Sequence, residues 1–266
     1  MNIKFNQIVK VLAVALPLSS VASASLAVTP LSGLDVAKER KLRDTGWGDY
    51  QAETTMILRN AHGEESVRKL SINVLEVLDD GDKSINFFSY PKDIKGTALL
   101  SVSHIHSDDE QWLYLPALKR TKRIASSNKS GPFMGSEFSY EDLSSFEVEK
   151  SDYTLLRQEA CGELTCFVLE SVPKDKYSGY KKRISWIDTT HYRVQKTEFY
   201  DKRDTLLKTL TLFNYKQYLE TYWRPHTMKM INHQSGKSTD LLTEEIRFKN
   251  GLSDSDFSQT QLKRVF

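Results

Sequence analysis

From Gln51 to Phe248 the chain repeats one pattern: short runs of alternating apolar and polar residues, cut by Gly, Asp, Asn, Ser or Pro. Ser66 to Leu78 shows it best. Leu70, Ile72 and Val74 fall on one side of a period of two, and Lys69, Ser71 and Asn73 on the other, as in a strand with one buried face. The same reading predicts strands over 51–60, 84–90, 96–106 and 111–115. After an irregular stretch from Ser126 to Glu149 it predicts them over 153–159, 165–172, 181–188, 192–200, 206–216, 222–233 and 238–248. Asp79-Asp80-Gly81-Asp82 and Asp188-Thr189-Thr190-His191 read as turns, and Pro91 stops the strand before it.

Helices are expected at the two ends of the exported part, and the middle holds an insert that is either helical or irregular. Pro30 to Asp44 predicts a helix capped at Ser32 or Asp35, with Leu34, Val36, Ala37 and Leu42 as its apolar stripe and Gly46 as its stop. Asp254 opens a second, short helix with Phe257 and Leu262 on its inner side. No helix falls between successive strands, which excludes βαβ crossovers and a parallel sheet. The expected fold is mainly β: one long antiparallel meander that must curl and whose concave face then becomes a pocket.

The first residues change the compartment. Lys4 and Lys10 precede an apolar run from Val11 to Leu18, and Ala22-Ser23-Ala24 is a small-x-small cleavage site. Together they predict a secretory leader over 1–24 and a single domain over 25–266. The apolar run is too short to span a bilayer, and no later run approaches that length. The chain has 37 Lys and Arg against 35 Asp and Glu; losing Lys4 and Lys10 leaves 35 of each sign. A near-neutral exported protein is a poor partner for nucleic acid. Cys161 and Cys166 flank Gly162-Glu163-Leu164-Thr165 between two strand-like runs. In an oxidising compartment such a local pair reads as a disulfide closing a hairpin, the alternative being two buried thiols.

Candidate chemistry is sparse. His104 and His106 alternate, but two histidines alone do not make a metal site. There is no G-x-S-x-G elbow and no Gly-rich phosphate loop. Glu137, Glu141 and Asp142 suit capping around Ser139 better than acid–base work. No catalytic residue, metal or cofactor is expected. Phe87 and Phe88 are adjacent, so they point to opposite faces of their strand. Either the sheet is covered on both sides there, or one face holds something oily that is not protein.

The most distinctive run is Trp112-Leu113-Tyr114-Leu115-Pro116-Ala117-Leu118-Lys119-Arg120-Thr121-Lys122-Arg123-Ile124, an edge strand pair broken at Pro116. Its basic residues Lys119, Arg120, Lys122 and Arg123 suit either lipid head groups and an acidic partner or a solvated edge that resists strand pairing. With Phe87-x-x-Tyr90-Pro91-x-Asp93-Ile94-x-Gly96-Thr97-Ala98-Leu99-Leu100, Phe133-Met134-Gly135-Ser136, Phe138-x-Tyr140-Glu141-Asp142-Leu143, Trp186-Ile187-Asp188 and Tyr200-Asp201, this run resembles the outer-membrane lipoprotein-sorting (LolA-like) proteins, in their larger subfamily associated with exporters of the resistance-nodulation-division (RND) type.

The resemblance implies a curved, incomplete antiparallel β-barrel, with N-terminal, mid-chain and C-terminal helices closing a hydrophobic cavity. It implies a periplasmic carrier that takes lipid or lipoprotein acyl chains, performs no catalysis and passes cargo toward the outer membrane. An RND-type inner-membrane exporter is the partner it suggests; an accessory subunit of that exporter without cargo is the alternative. Cavity or lid candidates are Phe87, Trp112, Tyr114, Phe133, Met134, Phe138 and Trp186. The stretch from Ser126 to Leu143, with Gly131 and Gly135, is either a mobile flap or a loop packed for good on the barrel end.

Overall fold

The computed structural model describes Met1 and residues 30–263. The leader expected over 1–24 lies, Met1 aside, outside the described residues. The chain divides into two compact units, Met1–Pro30 and Leu31–Phe266, and every described helix and strand belongs to the second.

Ser32 opens the α-helix, α1 (Gly33–Arg43). Its side chain accepts a hydrogen bond from the Asp35 backbone N–H, and the Asp35 carboxylate accepts from the Ser32 N–H, so two donors at the helix start are satisfied reciprocally. Arg40, Lys41 and Arg43 crowd the last turn, where the helix dipole favours positive charge. The buried stripe is narrower than predicted: Val36 and Ala37 are buried, while Leu34 and Leu42 face solvent.

Thirteen strands form one curved antiparallel sheet that does not close into a barrel. One wing runs β1 (Asp49–Arg59), β2 (Glu65–Leu75), β3 (Lys83–Tyr90), β4 (Ala98–Val102), β5 (Glu110–Leu115) and β6 (Arg120–Ile124). The other runs β7 (Ser151–Cys161), β8 (Leu164–Pro173), β9 (Tyr180–Asp188), β10 (Val194–Asp201), β11 (Leu206–Tyr218), β12 (Tyr222–Asn232) and β13 (Ser238–Phe248). The expected single meander is therefore two. They join where β1 pairs with β13, as in Met56 opposite Leu241, and the free edges are β6 and β7.

The helices expected in mid-chain and at the C-terminus are single 3₁₀ turns. Five lie between Pro116 and Lys150, and two more span Asp254–Asp256 and Gln261–Lys263. Phe257 and Leu262 are buried as predicted. They cover the outer face of β3–β5, packing on Ile85, Phe87, Ala98 and Leu100. Phe88 faces the other way, into the main core with Met56, Leu70, Leu99, Leu113 and Met230. The adjacent aromatics are thus explained by protein on both faces of the sheet at that point. At the opposite wing α1 covers the inner face, Val36 and Ala37 packing with Phe167, Leu169 and Ile187.

Cys161 and Cys166 are disulfide-bonded, with Cα atoms 5.9 Å apart. The bond runs diagonally across the β7–β8 hairpin, since Cys161 pairs with Leu164 and Cys166 with Glu159.

Candidate functional site

The concave face, α1 and the insert over 125–150 border a hollow, half open to solvent, with two adjoining lobes of about 670 and 930 Å³. Both lobes are walled by Arg40, Leu143, Val194, Leu212, Met228 and Leu241. The smaller reaches Tyr50, Asn86, Tyr215 and Trp223; the larger reaches Phe138, Tyr153, Arg183 and Phe199. Each lobe is within the size range of pockets that hold extended organic ligands.

The insert is held over the hollow by a buried polar knot. Lys208, on the inner face of β11, places its ammonium 2.7 Å from Asp142 Oδ2, and both side chains are at least 94 % buried. The same ammonium donates to the Glu137 carbonyl at 2.8 Å. Asp142 Oδ2 also accepts from the Ser139 N–H at 2.7 Å and hydroxyl at 2.8 Å, while Oδ1 accepts from the Tyr180 hydroxyl at 2.8 Å. Burial alone raises the Asp142 pKa; the Lys208 charge and the donated bonds outweigh it and hold the carboxyl below its usual range. Burial, with Asp142 beside it, pushes the Tyr180 phenol well up. The capping role expected at Ser139 to Asp142 is present as a reciprocal pair.

Further ties reach the insert from all around the rim. Gln111 donates to the Tyr140 carbonyl at 2.9 Å, and the Glu137 N–H donates to the Thr239 hydroxyl at 3.0 Å. Arg68 donates to the Met134 carbonyl, and Lys129 pairs with Asp175. Glu141 accepts from the Gly179 N–H and the Ser178 hydroxyl, both at 2.7 Å.

The predicted lining residues divide into three groups. Phe133 and Phe138 are buried beneath the insert in the main core, Phe133 lying 5.6 Å from Phe88 by ring centroids. Met134 is half-buried beside them with a left-handed backbone, φ +50°. Of these three only Phe138 reaches the hollow, at the larger lobe. Phe87, Trp112 and Tyr114 point to the outer face, under the C-terminal segment. Trp186 is also outside: it packs with Cys166 and Val168, and its indole N–H donates to Glu159 at 2.6 Å. Four of the seven are therefore separated from the hollow by the sheet itself, because strand pleating sends neighbouring side chains to opposite faces.

Lys119, Arg120, Lys122 and Arg123 are exposed on the free edge β6 and the turn before it. They do not share one face. Arg120 and Lys122 sit opposite Leu115 and Leu113, whereas Arg123 sits opposite Trp112 and pairs with Glu110 at 2.9 Å. His104 stands in the loop after β4, its Nδ1 2.6 Å from Asp80 Oδ2. Among the described residues no group of three or more metal-ligating side chains converges.

What sequence reading missed is the polar part of the hollow. Arg193 pairs with buried Asp188 at 2.8 Å, and Arg224 with Asp44 at 2.6 Å. Arg40, Arg183, Tyr215 and Asn86 complete the polar walls. Burial pushes the Tyr215 phenol far up and raises the Asp82 carboxyl to about 6. The signal was present on β3: Ser84 and Asn86 alternate with Ile85 and Phe87, and the polar pair faces the hollow.

An open, curved antiparallel sheet wrapped round a hollow capped by a helix and an insert is the architecture of the LolA-like proteins. A family model described as "Uncharacterized protein" matches residues 80–264. An outer membrane lipoprotein-sorting protein domain from Vibrio parahaemolyticus is 57 % identical, with a TM-score of 0.86 over 87 % of this chain and 98 % of its own. A DUF1329 family protein from Desulfovibrio piger is 28 % identical (TM-score 0.82, 86 % and 97 % covered). A LolA superfamily protein from Nitrosomonas europaea shares the fold at 20 % identity, with a TM-score of 0.68 over 87 % and 99 %. No curated protein matches. The chain belongs to the outer membrane lipoprotein-sorting protein family.

Proposed function

We propose that this protein is a periplasmic carrier that shelters acyl chains of a lipid or lipoprotein in the two-lobed hollow and hands them on toward the outer membrane. The observation that carries this reading is the hollow itself, about 670 and 930 Å³ in its two lobes, with Leu212, Met228 and Leu241 on the wall common to both. A plugged interior would leave no room for a guest. Each methylene taken from water into such a site gains about 0.8 kcal/mol, so a long chain binds tightly without any covalent step. The leader-like N-terminus and the disulfide Cys161–Cys166 support an oxidising, exported location. The exposed basic edge of β6 is the surface we assign to docking on the head groups of a membrane surface or on an RND-type exporter.

Native mass spectrometry of protein purified from cells tests the reading, with co-purified lipid as the expected result. Met228→Trp, which adds bulk to the wall common to both lobes, is expected to weaken a fluorescent acyl probe at least tenfold while the fold persists. Undiminished probe affinity in that variant would place the chain elsewhere and overturn the assignment.

A further inference from the structure

The hollow holds two arginines that form no ion pair among the described residues, although the charge of Asp44, which Arg224 already holds, still reaches the first of them, Arg40. Arg40, one turn from the end of α1, lines both lobes. Its guanidinium lies 3.9 Å from the centroid of the Phe146 ring. Among the described residues it makes no hydrogen bond or ion pair. Arg183, on β9, lines the larger lobe; its Nε is buried without a hydrogen-bond partner, and the ring of Tyr180 is 5.5 Å away. The two charges are near enough to oppose each other, and both act on the Tyr153 hydroxyl in the same lobe.

The inner carboxylates of that lobe are engaged elsewhere. Asp142 is taken by Lys208, Glu147 by Lys41 at 2.9 Å, Asp175 by Lys129 and Asp109 by Lys150. Glu141 is held by the 178–179 backbone and hydroxyl. The remaining buried arginines of the hollow, Arg193 and Arg224, each have their own aspartate. Arg40 and Arg183 are therefore the two arginines of the hollow without an ion pair among the described residues.

An unmatched guanidinium inside a protein is costly and cannot escape by losing its proton. Its planar fork fits carboxylate and phosphate oxygens. We propose that Arg40 and Arg183 grip the anionic head of the cargo inside the larger lobe, its acyl chain lying along Leu210, Leu212, Met228 and Leu241. The ligand class is a single-headed anionic amphiphile, with a carboxylate or a phosphate, rather than the uncharged acyl end of a lipoprotein. This rests on the carrier reading and narrows its cargo.

The test is competition against the fluorescent acyl probe by hexadecanoate, hexadecyl phosphate, hexadecanol and inorganic phosphate, at a pH where the fatty acid is ionised. The wild-type protein is expected to prefer the two anions over hexadecanol by about 10- to 100-fold. The ratio between the two anions tells carboxylate from phosphate, and phosphate without a chain is expected to compete poorly. Arg40→Gln with Arg183→Gln should bring the anions to parity with hexadecanol, whose own affinity stays put. Arg40→Lys should keep part of the preference. The double variant should unfold at the same temperature or higher, because the charges it removes have ring contacts but no ion pair among the described residues to offset their burial. Equal binding of hexadecanol and the anions by the wild type, or a preference that survives the double substitution, overturns the head-group assignment and leaves the carrier standing. Failure of every chain-bearing competitor, hexadecanol included, overturns both.

Discussion

The ammonium of Lys208 lies 2.7 Å from the carboxylate of Asp142, joining β11 to the insert that roofs the hollow. The insert itself has no helix longer than four residues and no ladder of its own beyond the single bridge Pro132–Ser139. Its position over the concave face is held by this pair together with the rim ties at Met134, Tyr140, Glu141 and Lys129.

Breaking the pair from one side leaves a bare charge in a dry place. Lys208→Met is expected to destabilise the protein by about 3–5 kcal/mol in urea unfolding. Asp142 has a depressed pKa in the folded state, so its contribution is complete above about pH 4 and is lost as pH falls through the folded value. Acid should thus erode the wild type more steeply than Lys208→Met. A loss under about 1 kcal/mol, the scale of a surface pair, would show that the insert is anchored elsewhere.

Asp82 titrates with the opposite sign. Burial is the main reason its carboxyl rises to about 6, with Glu147 and Glu76 adding to the rise and Lys41 and the Val77 N–H opposing it. Below about pH 4 it is protonated both folded and unfolded, and no penalty exists. The penalty grows between those values and is complete above pH 6. Asp82→Asn should stabilise the protein by up to about 3 kcal/mol at pH 8 and by almost nothing at pH 4. A pH-independent gain would assign the effect to packing rather than charge.

Gly33 poses a conflict between helix propensity and space. Alanine is the better helix former by about 1 kcal/mol. A Cβ at Gly33, however, would sit 2.6 Å from the Leu155 backbone nitrogen and 2.7 Å from the Thr154 carbonyl carbon. Neither neighbour is a side chain that can swing away. Gly33→Ala is therefore expected to cost about 1–3 kcal/mol, read as a lower thermal midpoint. A gain instead would mean that α1 slides on β7 without penalty.

The disulfide closes a short loop, so its effect should be local and modest. Replacing Cys161 and Cys166 by serine is expected to cost about 2 kcal/mol and to lower Tm by about 4–8 °C. Neither cysteine lines the hollow, so affinity for the acyl probe should not change. Loss of binding on reduction would tie the β7–β8 hairpin to the site.

Much of this molecule was legible residue by residue. The alternation of Leu70, Ile72 and Val74, the turn at Asp79 to Asp82, the cap at Ser32 and the pair Cys161–Cys166 are local features, fixed by neighbours a few positions away. Local chemistry cannot say which strands meet across long distances. Nothing near Met56 announces Leu241, its partner from the far end of the chain.

Nor does alternation say which face becomes the inside. On β3 and β5 the larger side chains Phe87, Trp112 and Tyr114 promised the cavity, yet they lie beneath Phe257 and Leu262, while Ser84 and Asn86 line the hollow. A period of two separates two faces without ranking them; the ranking depends on what else in the chain arrives to cover each one. The sequence by itself determined the strands, the turns and the N-terminal helix, because these depend on backbone preferences and near neighbours, and it brought Cys161 and Cys166 close enough for the disulfide that the structure shows. Only the tertiary structure decided where the two wings join and which face is hollow. It also decided that Arg40 and Arg183 line it without an ion pair among the described residues, because those facts depend on burial summed over the whole fold.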